Sequence, residues 1–185
     1  MPSTFSPCPI TGTIKGLMEI QPEIHGDTRG YFFESYSERD FSAAGLKLSF
    51  VQDNQSCSTK GVLRGLHFQK KHPQTKLIRV IDGEVFDVAV DMRHDSPTRG
   101  KWHGIKLSGL KNNQFLIPAG FAHGFLVLSD TAVFAYKCTD FYYPDDEGGI
   151  IWNDPTIGIT WPDIGMDYIL SDKDRKLPAW GEASN

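Results

Sequence analysis

Short apolar runs, broken by turn residues, recur about every ten residues along this 185-residue chain, a spacing that fits an antiparallel sandwich or barrel. Eighteen glycines and eleven prolines supply the breaks. Strand-like segments cover 13–20, 30–36, 49–56, 62–69, 103–107, 113–117, 123–128, 131–138 and 150–152. The clearest hairpin runs from Lys76 to Ile81, turns at Asp82-Gly83 and returns from Glu84 to Asp91. Asp-Gly suits a two-residue hairpin turn because both positions tolerate positive φ. Alternation puts Phe86, Val88, Val90 and Met92 on one face of the returning strand, with Asp87 and Asp91 on the other. One helix is expected from Glu38 to Ala44, capped by Ser37 and Asp40 and stopped by Gly45. A second short helix is expected after Ser171, and the tail from Pro178 to Asn185 reads as loose. The length fits one domain, without an internal linker or repeat.

The net charge of −4 leaves no basic footprint for nucleic acid. An anionic ligand would have to be met by a local cluster of cations. Cys8, Cys57 and Cys138 are odd in number and widely spaced, which fits reduced thiols in the cytoplasm better than a disulfide framework. Cys57, among strand neighbours, reads as a small core residue. The start, Met-Pro-Ser-Thr-Phe, lacks the charged and apolar regions of a signal peptide. No apolar run reaches membrane-spanning length.

Chemistry concentrates in Gly61-Val-Leu-Arg-Gly-Leu-His-Phe-Gln69, where Arg64 and His67 interrupt a segment that otherwise reads as a buried strand. Imidazole titrates near neutral pH, and guanidinium presents forked donors that suit phosphate. A core histidine and an ordinary ion pair would explain the same residues. Strict alternation puts Arg64 and His67 on opposite faces, so both reach one cavity only if the strand bulges, and Gly65 is the natural site. Gly61-x5-His67 and Pro118-x-Gly120-x2-His123 resemble the two cupin signatures, which implies an all-β, double-sheet antiparallel jelly roll with a few short helices. Its core would span about 45–160, with the N-terminal strands and a C-terminal helical segment packed on it. Metal-binding cupins carry a second histidine where this chain has Gln69, and a neutral amide is a poor ligand, so no metal is expected.

Eight segments, in order, carry a more specific likeness: Gly26–Ser35, Gln52–Ser58, Gly61–Gln69, Pro73–Leu77, Pro118–Phe125, Tyr136–Tyr142, Trp152–Asp154 and Leu170–Asp174. From Gly16 to about Pro178 the chain resembles the dTDP-4-dehydrorhamnose 3,5-epimerase family of nucleotide-sugar epimerases. The resemblance implies a cofactor-independent inversion of C3 and C5 in dTDP-4-dehydro-6-deoxy-D-glucose, toward dTDP-L-rhamnose. It implies His67 as the base, Asp174 as its dyad partner, Tyr136 as the acid and Lys76 as the cation at the C4 oxyanion. Each has an ordinary alternative: Ser171-x-x-Asp174 is itself a capping pattern, Tyr136 fits a core aromatic, and Lys76 fits a solvated strand start. Arg29, Arg64 and Lys173 resemble the substrate-binding cations, and Tyr142 the ring that stacks on thymine. Glu34, Gln52, Asp53, Asn54, His123 and Glu147 match further substrate-binding positions. The family also implies a homodimer, with Arg29 and Glu34 the residues to suspect of serving the partner's site. Related alternatives are inversion of one centre alone or movement of the ketone. More distant ones are a non-catalytic sugar-binding jelly roll and a metal-dependent cupin dioxygenase.

Overall fold

The computed structural model describes residues 5–9 by their backbone and residues 14–183 in full. Two antiparallel sheets lie face to face. The six-stranded sheet runs in the order β1 (Phe5–Pro9), β2 (Met18–Pro22), β10 (Gln114–Ile117), β7 (Lys76–Asp82), β12 (Thr131–Cys138) and β5 (Gln52–Thr59). The five-stranded sheet runs β13 (Glu147–Gly149), β6 (Leu63–Gln69), β11 (Phe121–Val127), β8 (Glu84–Asp91) and β9 (Trp102–Ser108). A separate ribbon pairs β3 (His25–Asp27) with β4 (Gly30–Phe32). The expected double-sheet jelly roll is the fold observed.

Period-two alternation builds three apolar layers rather than one. Ile78, Val80, Phe115 and Phe134 from the larger sheet meet Val85, Ala89, Leu107 and Phe125 from the smaller one between the sheets. Ile20, Leu77 and Leu116 point the other way and are covered by Phe41 of α1 (Glu38–Ala43), with Leu46, Leu48 and Phe50 packed beside it. The Ser37 hydroxyl accepts from the Asp40 N–H, and Gly45 takes φ +84, so α1 has the cap and stop that its sequence calls for. On the outer face of the smaller sheet, Leu66, Val88 and Val90 are covered by Ile150, Ile157, Trp161 and Trp180.

Four expectations are corrected. Asp82-Gly83 is not a hairpin turn: β7 pairs with β10 and β12, whereas β8 pairs with β11 and β9. The chain crosses from one sheet to the other at Gly83, where φ is +82 and any Cβ would lie 2.1 Å from the Thr131 carbonyl oxygen. Both neighbours of each strand are already taken, and their inward residues face one another across the core, so a hairpin between them has no free edge. The strand expected over 150–152 lies just before it, as β13. The tail is not loose through Ala183: α3 (Trp180–Ala183) buries Ala183, and the Trp180 N–H donates to Asp154 Oδ2 at 2.8 Å. Cys57 is exposed, because it falls on the outward parity of β5, the last strand of its sheet. Cys57 and Cys138 are free thiols; the side chain of Cys8 lies outside the described residues.

Candidate active site

The bulge required by the sequence is present. β6 pairs with β11 through His67↔His123 and Arg64↔Phe125, so three residue steps on β6 span two on β11. Gly65 takes φ +114, and a Cβ there would sit 2.7 Å from both Gly124 Cα and the His123 carbonyl oxygen. Only glycine fits such a close backbone approach. The extra residue rephases the strand, and Arg64 and His67 line the same cavity of about 350 Å³. Ser58 accepts from Arg64 Nε at 3.3 Å and Nη2 at 3.0 Å, which holds one edge of the guanidinium.

His67 Nε2 lies 2.6 Å from Asp174 Oδ1. Asp174 sits on α2 (Asp172–Arg175), which a short parallel latch brings beside β6: Leu63 N–H donates to Ile169 O, and Ile169 N–H to Gly61 O. The Ser171 hydroxyl accepts from the Asp174 N–H at 3.1 Å and donates to Asp174 Oδ2 at 2.8 Å. Capping and histidine pairing, alternatives in the sequence, are thus made by one residue at once. Burial pushes the Asp174 carboxyl up, but the bonds from His67 and Ser171 outweigh it and hold the group below the ordinary range. With Nε2–H donated to Asp174, Nδ1 carries the ring's lone pair. It lies 3.9 Å from Glu147 Oε1, outside hydrogen-bond range.

The opposite wall belongs to the other sheet. Tyr136 from β12 and Lys76 from β7 line the same cavity, with Lys76 Nζ 5.9 Å from the Tyr136 ring centroid. Burial pushes the Tyr136 phenol up and the Lys76 ammonium down. Beside His67, the buried His123 ring bonds both oxygens of Asp87 through Nε2 at 3.0 Å. Burial lowers His123 and raises Asp87. In the sequence, Asp87 stands out only as an acid on the second face of its strand. Its signal was available: an acid on the second face of a strand that turns out to be central is buried and must find a partner.

At the cavity rim, Tyr142 Oη donates to Glu147 Oε2 at 2.7 Å, and Lys173 Nζ pairs with the same carboxylate. Burial pushes Glu147 up, but these two donors leave it below its ordinary value. Asn54 lines the cavity and accepts from Gln52 Nε2 at 2.9 Å. Four expected residues do not line it. Gln52 stands behind the rim, with its Oε1 accepting from the Tyr142 N–H at 2.9 Å. Asp53 has the outward parity of β5 and pairs with Lys137 at 2.7 Å. Arg29 lies in the β3–β4 turn, paired with Asp27, and Glu34 is exposed just beyond the ribbon. Gln69, at the would-be metal position, spends its amide on the backbone: Nε2 donates to His72 O and Phe141 O, and Oε1 accepts from the Tyr143 N–H. Among the described residues, no group of three or more His, Cys, Asp or Glu is placed to hold a metal ion.

The dTDP-4-dehydrorhamnose 3,5-epimerase family model matches residues 11–182. The chain is 53% identical over 167 residues to the enzyme of that name from Methanothermobacter thermautotrophicus, covering 90% of each. It is 53% identical over 171 residues to the one from Pseudomonas aeruginosa, covering 92% of this chain and 94% of the relative. Its fold superposes with a TM-score of 0.90 on a Legionella pneumophila epimerase solved with dTDP-4-keto-L-rhamnose, at 50% identity over 95% of this chain and 93% of that one. A sandwich with a histidine–aspartate pair facing a tyrosine and a lysine across one cavity, carried on a sequence this similar, belongs to the dTDP-4-dehydrorhamnose 3,5-epimerase family.

Proposed function

We propose that this chain inverts C3 and C5 of dTDP-4-dehydro-6-deoxy-D-glucose to give dTDP-4-dehydro-L-rhamnose, a step of dTDP-L-rhamnose synthesis. The observation that carries this reading is the division of the cavity between two sheets, with His67 on one wall and Tyr136 on the other. A proton leaves C3 or C5 to His67 Nδ1, and the C–H electron pair moves into an enolate on the C4 oxygen. Lys76 holds that developing charge, a type of contact worth roughly 10² or more in rate. Tyr136 then delivers its proton from the opposite face, the ketone re-forms, and the cycle resets as His67 releases its proton to solvent and the phenoxide takes one back. No electron is gained or lost, so the chemistry calls for no redox partner. Asp174 keeps the His67 ring in the productive tautomer and stabilises its imidazolium. His123, with Asp87 behind it, extends the polar wall beside His67. Arg64 and Lys173 bind the pyrophosphate, Tyr142 stacks on the base, and Asn54 and Glu147 fix the rim. Free thiols at Cys57 and Cys138 support a cytoplasmic setting, and no helix among the described residues is long and apolar enough to cross a membrane.

Incubation with dTDP-4-keto-6-deoxyglucose in deuterated water, followed by proton NMR, tests the reading. Deuterium is expected at both C3 and C5 with the wild type, and at neither with His67→Asn. Label at one centre alone would reduce the assignment to a single inversion, and wild-type protein that exchanges neither position would sink it.

The ribbon β3–β4 leaves Tyr31 61% and Phe32 70% exposed, with Arg29 at its turn and Glu34 just beyond. Two exposed rings on one ribbon suit burial against a second copy, and Arg29 and Glu34, which do not line this chain's own cavity, are left to serve the partner's; together these support a homodimer with shared sites. Arg29→Ala and His67→Asn proteins, each inactive alone, should regain activity after mixing and subunit exchange. A monomer by ultracentrifugation at micromolar concentration would refute it.

A further inference from the structure

Residues 139–143, between β12 and the 3-10 turn Pro144–Asp146, have no regular secondary structure and expose three consecutive aromatic rings. Such a segment moves freely unless its backbone is tied down. Here side chains from three places in the chain do the tying. Gln74 Nε2 donates to Asp140 O at 2.8 Å. Gln69 Nε2 donates to Phe141 O at 3.0 Å, and its Oε1 accepts from the Tyr143 N–H at 2.7 Å. Gln52 Oε1 accepts from the Tyr142 N–H between them. Gln69 is 7% exposed and fully satisfied, its second amide proton going to His72 O at 2.8 Å. An amide is the side chain this task requires, because it donates and accepts at one site. A carboxylate would set charge against two carbonyls, and a lysine could not receive the Tyr143 N–H.

We propose that Gln69, assisted by Gln52 and Gln74, is a positioning residue that holds Tyr142 over the nucleotide end of the cavity and thereby sets affinity for the base. The inference rests on the reading of Tyr142 as the base-stacking ring. It gives Gln69 a role that neither metal binding nor proton transfer supplies.

Calorimetric titration with dTDP and with inorganic pyrophosphate separates the possibilities. Gln69→Leu keeps the size of the side chain and removes its three bonds. Two of those bonds hold the 139–143 segment, and the loss of each is worth several-fold, so dTDP should bind on the order of tenfold or more weakly. Pyrophosphate, which has no base, should lose less than about threefold by the same measure. In a Tyr142→Ala background, adding Gln69→Leu should change dTDP affinity by less than about twofold, since a positioning residue has nothing left to position. In the epimerase assay, KM should rise far more than kcat falls. Unchanged dTDP affinity in Gln69→Leu, an equal loss for pyrophosphate, or the same loss in the Tyr142→Ala background would overturn the proposal. If Gln69→Leu does not fold, Gln74→Leu removes a single bond and should show the same pattern on a smaller scale, or overturn it. A wild type that binds neither ligand would sink the epimerase reading together with this one; the clamp alone falls only where the wild type binds both.

Discussion

Asp174 shows how much one carboxylate can be asked to do. It receives a hydrogen bond from His67 and another from Ser171, and its own N–H completes the cap of α2. Asp174→Asn separates these duties. The backbone N–H of residue 174 still reaches Ser171, so the melting temperature should move by only a few degrees, at roughly 2–4 °C per kcal/mol for a chain this size. The amide would present a donor to the histidine and favour the wrong tautomer, a change that costs about 10⁴ in kcat in an analogous triad. Deuterium exchange measured beside a thermal melt checks both halves, and an unchanged exchange rate would end the dyad assignment. The residues legible in the sequence were those with rare chemistry in a strand setting, His67 and Arg64 foremost. Gln69 and Asp87 were not read for what they do. The work of Gln69 is to bind backbone far away in sequence, and Asp87 meets its partner only when two strands pair.

At the scale of elements, strand positions were legible and strand partners were not. Asp82-Gly83 has the chemistry of a hairpin turn, but a corner between sheets also needs positive φ at that point, so local sequence does not separate the two. The β6 irregularity was legible because two residues of opposite parity were asked to share a cavity. Gly65→Ala tests that element directly. Its Cβ would strike backbone at 2.7 Å in a left-handed conformation, which costs about 1–3 kcal/mol of strain before any clash is relieved. Lower thermal stability is expected together with a large loss of exchange activity, because relief of the clash shifts Arg64 relative to His67. A variant as stable and as active as the wild type would show that the bulge is not required.

At the scale of the whole molecule, both outer faces of the sandwich are covered, which composition did not reveal: α1 and 46–50 cover one, and residues 150–183 the other. Carboxylates tie down loops and one of these coverings: Asp91 holds 93–98, Asp146 holds Lys71 and His72, and Asp154 and Asp174 lie within 150–183. Burial raises Asp91, Asp146, Asp154 and Asp174, but the donors around each outweigh it and leave every one below the ordinary range. Asp91, bonded by Arg93, Ser96 and Thr98, is lowered to about 2. A depressed folded-state pKa adds stability above the unfolded value near ~3.9 and loses it as pH falls through the folded value. The melting temperature should therefore hold from neutral pH to about 4 and drop steeply toward 2, with a shallower drop in Asp91→Asn, whose melting temperature at neutral pH is already lower. A flat profile through this range would contradict these bonds.

Phe125 and Phe134 come from opposite sheets and stack with centroids 4.0 Å apart at 13°, in the cavity that His67 and Tyr136 share. The gap between the two proton-handling groups is therefore gauged by the thickness of two benzene rings, a dimension that neither group sets for itself. The stack works as a caliper: a core substitution that lets the jaws close or open by a fraction of an ångström would detune proton delivery while leaving every reacting group in place.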